Sequence, residues 1–239
     1  MKRQQSPGSK ASAICAAFSV FLLALFAVSP TLAGPVVIMD EGFEMGPGGI
    51  NGGPTCRWIS SDLNASSGFD YWGVVAAGQG ARVASGQASV HCAAMPSFVR
   101  RYDHYMTSHL ITQIPINVAG MKNIVFEFSA WSEFRSTNSY DKLQAMISTN
   151  GTNWVTVRTI DRTSPQRTYI RHSIPLSLPT TTTALYLKFL FLSNASGGTP
   201  KEGVYLDDVF VIGTPTSGGL DAAVPVKSMT WGRTKALYR

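Results

Sequence analysis

The residues whose types could do chemistry are few. Asp207 and Asp208 stand side by side in "VYLDDVFVIG" (204–213), a run of β-formers that is apolar on both sides. A buried, unpaired carboxylate is very costly, so something must satisfy these groups. Four histidines, His91, His104, His109 and His172, are the candidate bases and nitrogen ligands, and none stands in an HExxH pattern. On a strand, His104 and His109 would point to opposite faces, a poor arrangement for a shared metal. Asp103 beside His104 suggests a charge relay, but no nucleophile is placed with it. The sequence holds no G-x-S-x-G elbow, phosphate-binding loop or dinucleotide fingerprint. The chain is therefore expected to bind rather than to catalyse.

The elements that must position these residues come from a chain of 239 residues, 44% hydrophobic and 14% charged, enough for one domain with a full core. A basic start (Lys2, Arg3, Lys10) precedes "AICAAFSVFLLALFAV", and "SPTLAG" offers a small-residue cleavage site after Ala33. That layout predicts a secretory signal peptide over 1–33 and a secreted or surface-exported product, with an uncleaved anchor as the alternative. No other segment is long and apolar enough to span a membrane. Without the signal the net charge of +6 falls to about +3, and the remaining basic residues are scattered, a weak case for nucleic acid. Cys56 and Cys92 remain as an even pair in an oxidising compartment, so a disulfide is expected, with two buried thiols as the alternative.

Residues 34–213 read as short strands separated by turns. "NIVFEFSAW" (123–131) alternates with period two, and "NGTN" between "KLQAMIST" and "WVTVRTI" is a strong hairpin signal that places Trp154 in the core. Ten or eleven such runs without a convincing helix predict an all-β fold, a two-sheet antiparallel jelly-roll β-sandwich. Within it, Asp207 and Asp208 would point to opposite faces. Residues 214–239 read as a linker and a short C-terminal tail.

Taken in order, "DEGFE" (40–44), "SGFDYWG" (67–73), "SGQASVHCA" (85–93), "STNGTNWVTV" (148–157) and "GVYLDDVFV" (203–211) resemble the MAM-like jelly-roll accessory domains of secreted bacterial proteins. Such domains stand beside immune-inhibitor-A-type metallopeptidases and are often labelled choice-of-anchor J. The resemblance implies a non-catalytic adhesion or binding module with a structural calcium ion. An acidic residue of the first strand and the aspartate of the last would hold it: Glu44 and Asp207, with Glu41, Asp40 and Asp208 in reserve. Calcium takes six to eight oxygen ligands, and first and last strands can be neighbours. The alternative is that both aspartates accept backbone hydrogen bonds and no metal is involved.

Jelly rolls also carry carbohydrate sites built on exposed aromatic rings. Trp131, Phe134 and Tyr140 flank the polar loop "SEFRSTNSYD" (132–141), and Tyr102 and Tyr105 sit in another loop. They form the candidate rim for an extracellular glycan or surface protein, the competing reading being that they pack at the core edge.

Overall fold

The structure, a computed structural model, describes residues 34–44, 50, 56–64, 71–95, 101–135, 140–194, 199 and 201–216. The predicted signal peptide and residues 217–239 of the tail lie outside the described residues. Twelve strands are described: β1 (Val36–Glu41), β2 (Trp58–Asp62), β3 (Tyr71–Ala76), β4 (Ala88–Met95), β5 (Thr107–Thr112), β6 (Ile116–Asn117), β7 (Met121–Glu133), β8 (Lys142–Ser148), β9 (Val155–Asp161), β10 (Tyr169–Pro175), β11 (Ala184–Leu192) and β12 (Gly203–Pro215). They form two antiparallel sheets, the expected β-sandwich. Sheet one runs β10-β7-β12-β4-β3, with β1 paired to β12; sheet two runs β2-β5-β11-β8-β9, with β6 paired to β11. Pro115 separates β5 from β6, in keeping with its missing amide donor.

Alternation builds the core. In β11, Leu185, Leu187, Phe189 and Phe191 are fully buried, while Tyr186, Lys188, Leu190 and Leu192 between them are half-buried on the outer face. Phe126 and Phe128 of β7 meet Phe189 at centroid distances of 5.8 and 5.1 Å, and Trp58 of β2 stacks on it at 6.0 Å. Phe189 therefore joins both sheets. Phe189→Ala should cost about 3–5 kcal/mol, the loss usual for a buried aromatic, read as a lower urea midpoint at unchanged slope.

The "NGTN" hairpin forms as expected between β8 and β9. Ser148 Oγ accepts the Gly151 amide at 2.9 Å, and Asn150 Oδ1 accepts those of Thr152 and Asn153. Gly151 takes a left-handed φ of +75°, and the Tyr186 ring stands 3.5 Å from where a Cβ would be.

Cys56 and Cys92, the pair expected to bridge, are both buried. Cys56 precedes β2 of sheet two, where its Sγ donates to the Trp58 carbonyl at 3.1 Å. Cys92 belongs to β4 of sheet one, where its Sγ accepts the Val204 amide at 3.3 Å.

Candidate binding site

The aspartate pair is resolved by a bulge. Val204, Leu206, Val209 and Val211 of β12 face the core, so the inward phase slips by one residue between 206 and 209. The register against β7 slips at the same place, and Asp208 takes a φ of +49°. An extra residue is accommodated there, so Asp207 and Asp208 do not face opposite ways as a regular strand would require. Both reach the same turn, residues 84–87, on the outer side of sheet one. Asp207 Oδ2 accepts the amides of Ala84 (2.9 Å) and Ser85 (3.0 Å), and its Oδ1 accepts that of Asp208 at 2.8 Å. Ser85 Oγ donates to Asp208 Oδ1 at 2.6 Å.

Glu44 meets the same turn. Both its carboxylate oxygens accept the Gln87 amide, at 3.2 and 3.0 Å. Its carboxylate occupies the space beside Gly86, at φ +67°, where a Cβ would collide with Oε1. Glu41, opposite Val209, accepts the Phe43 amide at 2.9 Å, and burial raises its pKa. The first and last strands are neighbours, and Glu44 and Asp207 both bond to turn 84–87. What they converge on is backbone N–H, the hydrogen-bonded alternative. Among the described residues no three Asp, Glu, His or Cys side chains gather as a metal cage, so the residues present do not fit calcium without giving up these donors. Burial pushes Asp207 up to about 7, against the pull of its three amide donors, and the neighbouring Asp208 charge adds to the rise.

The segment 77–87 that carries this turn covers the Trp131 end of the outer face of sheet one. Arg82 lies over the Trp131 ring at 5.0 Å and pairs with Glu202 at 2.8 Å. Its carbonyl accepts from Ser89 Oγ and Tyr169 Oη. Beneath lie Trp131, 6% exposed and edge-on to Tyr205, and His91, which burial lowers to about 4. Trp131 is therefore no open platform. Phe134, at 5% exposure, joins the core and stacks on Phe191. The expectation fails for both rings because their strand ends are covered. Tyr140 alone of the three is open, at 63%.

Tyr140 adjoins a buried polar network at one end of the sandwich. Arg135 grips Asp141 with two hydrogen bonds of 2.7 and 3.0 Å, both side chains being buried. Tyr102 Oη donates to Asp141 Oδ2 at 2.5 Å, the Asn194 amide donates to Oδ1, and Arg135 also donates to the Asn194 carbonyl and to His104 Nδ1. The residue after His104 is Tyr105, 55% exposed at a φ of +59°. His104 stands in a turn rather than a strand, and its partner is Arg135, not a catalytic pair with Asp103.

Sheet two presents a different outer face. Across it run two rows, Ile59–Ile111–Lys188–Met146–Thr156 and Ser61–His109–Leu190–Gln144–Thr159. Trp154, expected in the core, is half-buried here: Lys188 Nζ sits 4.0 Å above its ring, a contact that spans β8. Tyr186 lies beyond Lys188 on the same strand. Ser61 Oγ and His109 Nε2 are 2.6 Å apart. This mixture of two aromatic rings with hydroxyl, imidazole, amide and ammonium groups is the kind of surface that holds a polar ligand with apolar faces. Its sequence signal was the alternation of "ALYLKFLFL", whose outward residues include Tyr186 and Lys188.

Neither a family model nor a curated protein matches the sequence, so the MAM-like likeness stays a resemblance. Solved structures do match at low similarity. The K1 cleaved adhesin domain of Lys-gingipain from Porphyromonas gingivalis W83 aligns at a TM-score of 0.48 and 14% identity, over 72% of this chain and 96% of that one. The CBM22-1 xylan-binding domain of Paenibacillus barcinonensis Xyn10C aligns at 0.44 and 14%, over 78% and 99%. A cyclase from Fischerella sp. TAU aligns at 0.45 and 12%, over 77% and 99%. Likeness this distant leaves the function to the residues themselves.

Proposed function

We propose that this chain is an exported, non-catalytic binding module that holds an extracellular glycan on the outer face of sheet two. The contrast between the two broad faces carries the reading. Segment 77–87 covers sheet one around Trp131 and Asp207, whereas sheet two turns Trp154, Tyr186, Lys188, His109, Ser61 and Gln144 outward as half-buried groups on a broad sheet. An extended polysaccharide has the matching chemistry, with C–H faces for the rings and hydroxyls for the polar groups.

A glycan array on the exported protein, followed by titration of the best hit, tests this. Trp154→Ala should weaken binding at least about tenfold with its melting curve little changed, since aromatic anchors dominate such interfaces. A second reading has its own observation: Leu63, Tyr105 and Tyr140 are exposed large apolar side chains on loops around the Arg135 network, a surface suited to a protein partner. Tyr105→Ala and Tyr140→Ala variants that lose binding, while Trp154→Ala keeps it, would move the ligand to that end.

The calcium ion enters as a proposal in competition with turn 84–87. An ion on Glu44, Asp207 and Asp208 must displace amide donors already in place. The hydrogen-bonded turn is the arrangement the geometry favours, so thermal melts in calcium and in EDTA should coincide. A calcium-dependent rise in melting temperature that Asp207→Asn removes would instead establish the ion.

A further inference from the structure

Lys188 is a cation that meets a ring where a carboxylate would be expected. Its neighbours across the sheet are Ile111 and Met146, and its ammonium lies over Trp154. Burial lowers its pKa from the ordinary lysine value. Its charge reaches His109, whose pKa is lowered first by burial and then by Lys188. The imidazole has Ser61 at Nε2, while Nδ1 is buried without a hydrogen-bond partner. Lys142, on the same face of β8 as Gln144, adds a second positive charge toward the end of the face. Asp161, the acidic residue opposite Lys142, turns its Oδ1 back onto Thr163. Lys188 is thus the partly desolvated cation at the centre of the face, and Asp161 stands toward its edge, opposite Lys142.

We propose that the ligand of this face is an acidic sugar, a uronic acid residue within an extended polysaccharide, whose carboxylate accepts from Lys188 Nζ while its ring lies against Trp154. The proposal rests on the glycan-binding reading above and adds the charge of the ligand. Over the indole, the ammonium of Lys188 meets a π face and solvent rather than a carboxylate among the described residues. A carboxylate offers short, charge-assisted hydrogen bonds instead. Drawing the ammonium toward the edge of the ring frees the indole face for the C–H face of the sugar. A neutral sugar leaves the half-desolvated ammonium uncompensated, which is the source of discrimination.

Calorimetric titration with an oligogalacturonate, and with the same oligosaccharide fully methyl-esterified, separates charge from shape. The acidic form should bind at least about tenfold tighter at low ionic strength, with the advantage shrinking as salt rises. Lys188→Met should erase that advantage and Lys188→Arg should retain it. Lys122→Met, which removes the same charge from sheet one, should leave it in place. Equal affinities for the two forms, or an advantage that survives Lys188→Met, overturn the proposal; if Trp154→Ala still abolishes binding of both, the glycan reading stands. Binding of no glycan at all overturns both.

Discussion

Arg135→Met should lower the melting temperature by about 10 °C or more, the expression of about 3–5 kcal/mol in a domain of this size. The substitution leaves Asp141 fully buried, with Tyr102 Oη and the Asn194 amide in place but without the charge that balances it. The cost arises mainly from the stranded anion, not from the worth of the pair itself. Asp141→Leu alone should be similarly damaging, because it strands the guanidinium. The double variant Arg135→Met/Asp141→Leu should therefore recover much of what either single change loses. Urea denaturation of the four proteins makes the cycle. A single-variant loss below about 1 kcal/mol would show that water reaches the pair and that it behaves like a surface bridge.

The second large effect concerns Asp207 and pH. Its carboxyl ordinarily titrates near 3.8, and in the folded protein burial raises that to about 7. The folded state therefore keeps a proton that the unfolded chain gives up. The stability this confers is complete below the unfolded value and is lost as pH rises toward 7. His91 and His172 oppose it: burial lowers both to about 4, so they withhold protons that the unfolded chain takes up as pH falls below 6.5. The wild-type melting curve alone mixes these trends, and the comparison with Asp207→Asn isolates the carboxyl, since asparagine resembles its neutral form. Between pH 5 and pH 8 in EDTA, wild type should lose about 2–3 kcal/mol relative to Asp207→Asn, a relative shift of about 5–10 °C. A difference that stays flat over that range would mean the three amide donors keep Asp207 ionised throughout.

The same aspartates show how far the sequence could be read. Strand positions and the "NGTN" hairpin follow from period-two alternation and turn chemistry, which act over a few residues. That Asp207 and Asp208 need partners was equally visible. What those partners are depends on a bulge, and a bulge leaves no mark in composition: "YLDDVF" reads as an unbroken strand. The aromatic rim went astray for a related reason. Whether Trp131 is open depends on segment 77–87, some fifty residues away in the chain, folding back to lay Arg82 on the ring. Trp154 went the other way, since a tryptophan beside a hairpin looks like core until its strand is seen at the sheet edge with Lys188 across β8. Local periodicity sets which residues alternate; which of the two faces ends up covered is a long-range outcome.

The antiparallel pairing of β1 with β12 sets how the domain bears load. Val36 lies opposite Gly213, so the start of β1 and the end of β12, the two flanks of the described domain, lie at the same end of the same pair, on the sheet opposite the proposed glycan face. Tension applied between the two flanks peels β1 from β12 like a zipper, one hydrogen bond at a time. Tension between one flank and a ligand on sheet two instead runs across the whole thickness of the sandwich, where many contacts share it. The domain is mechanically suited to hang from a single tether with its ligand on the far side, and poorly suited to serve as a link in series.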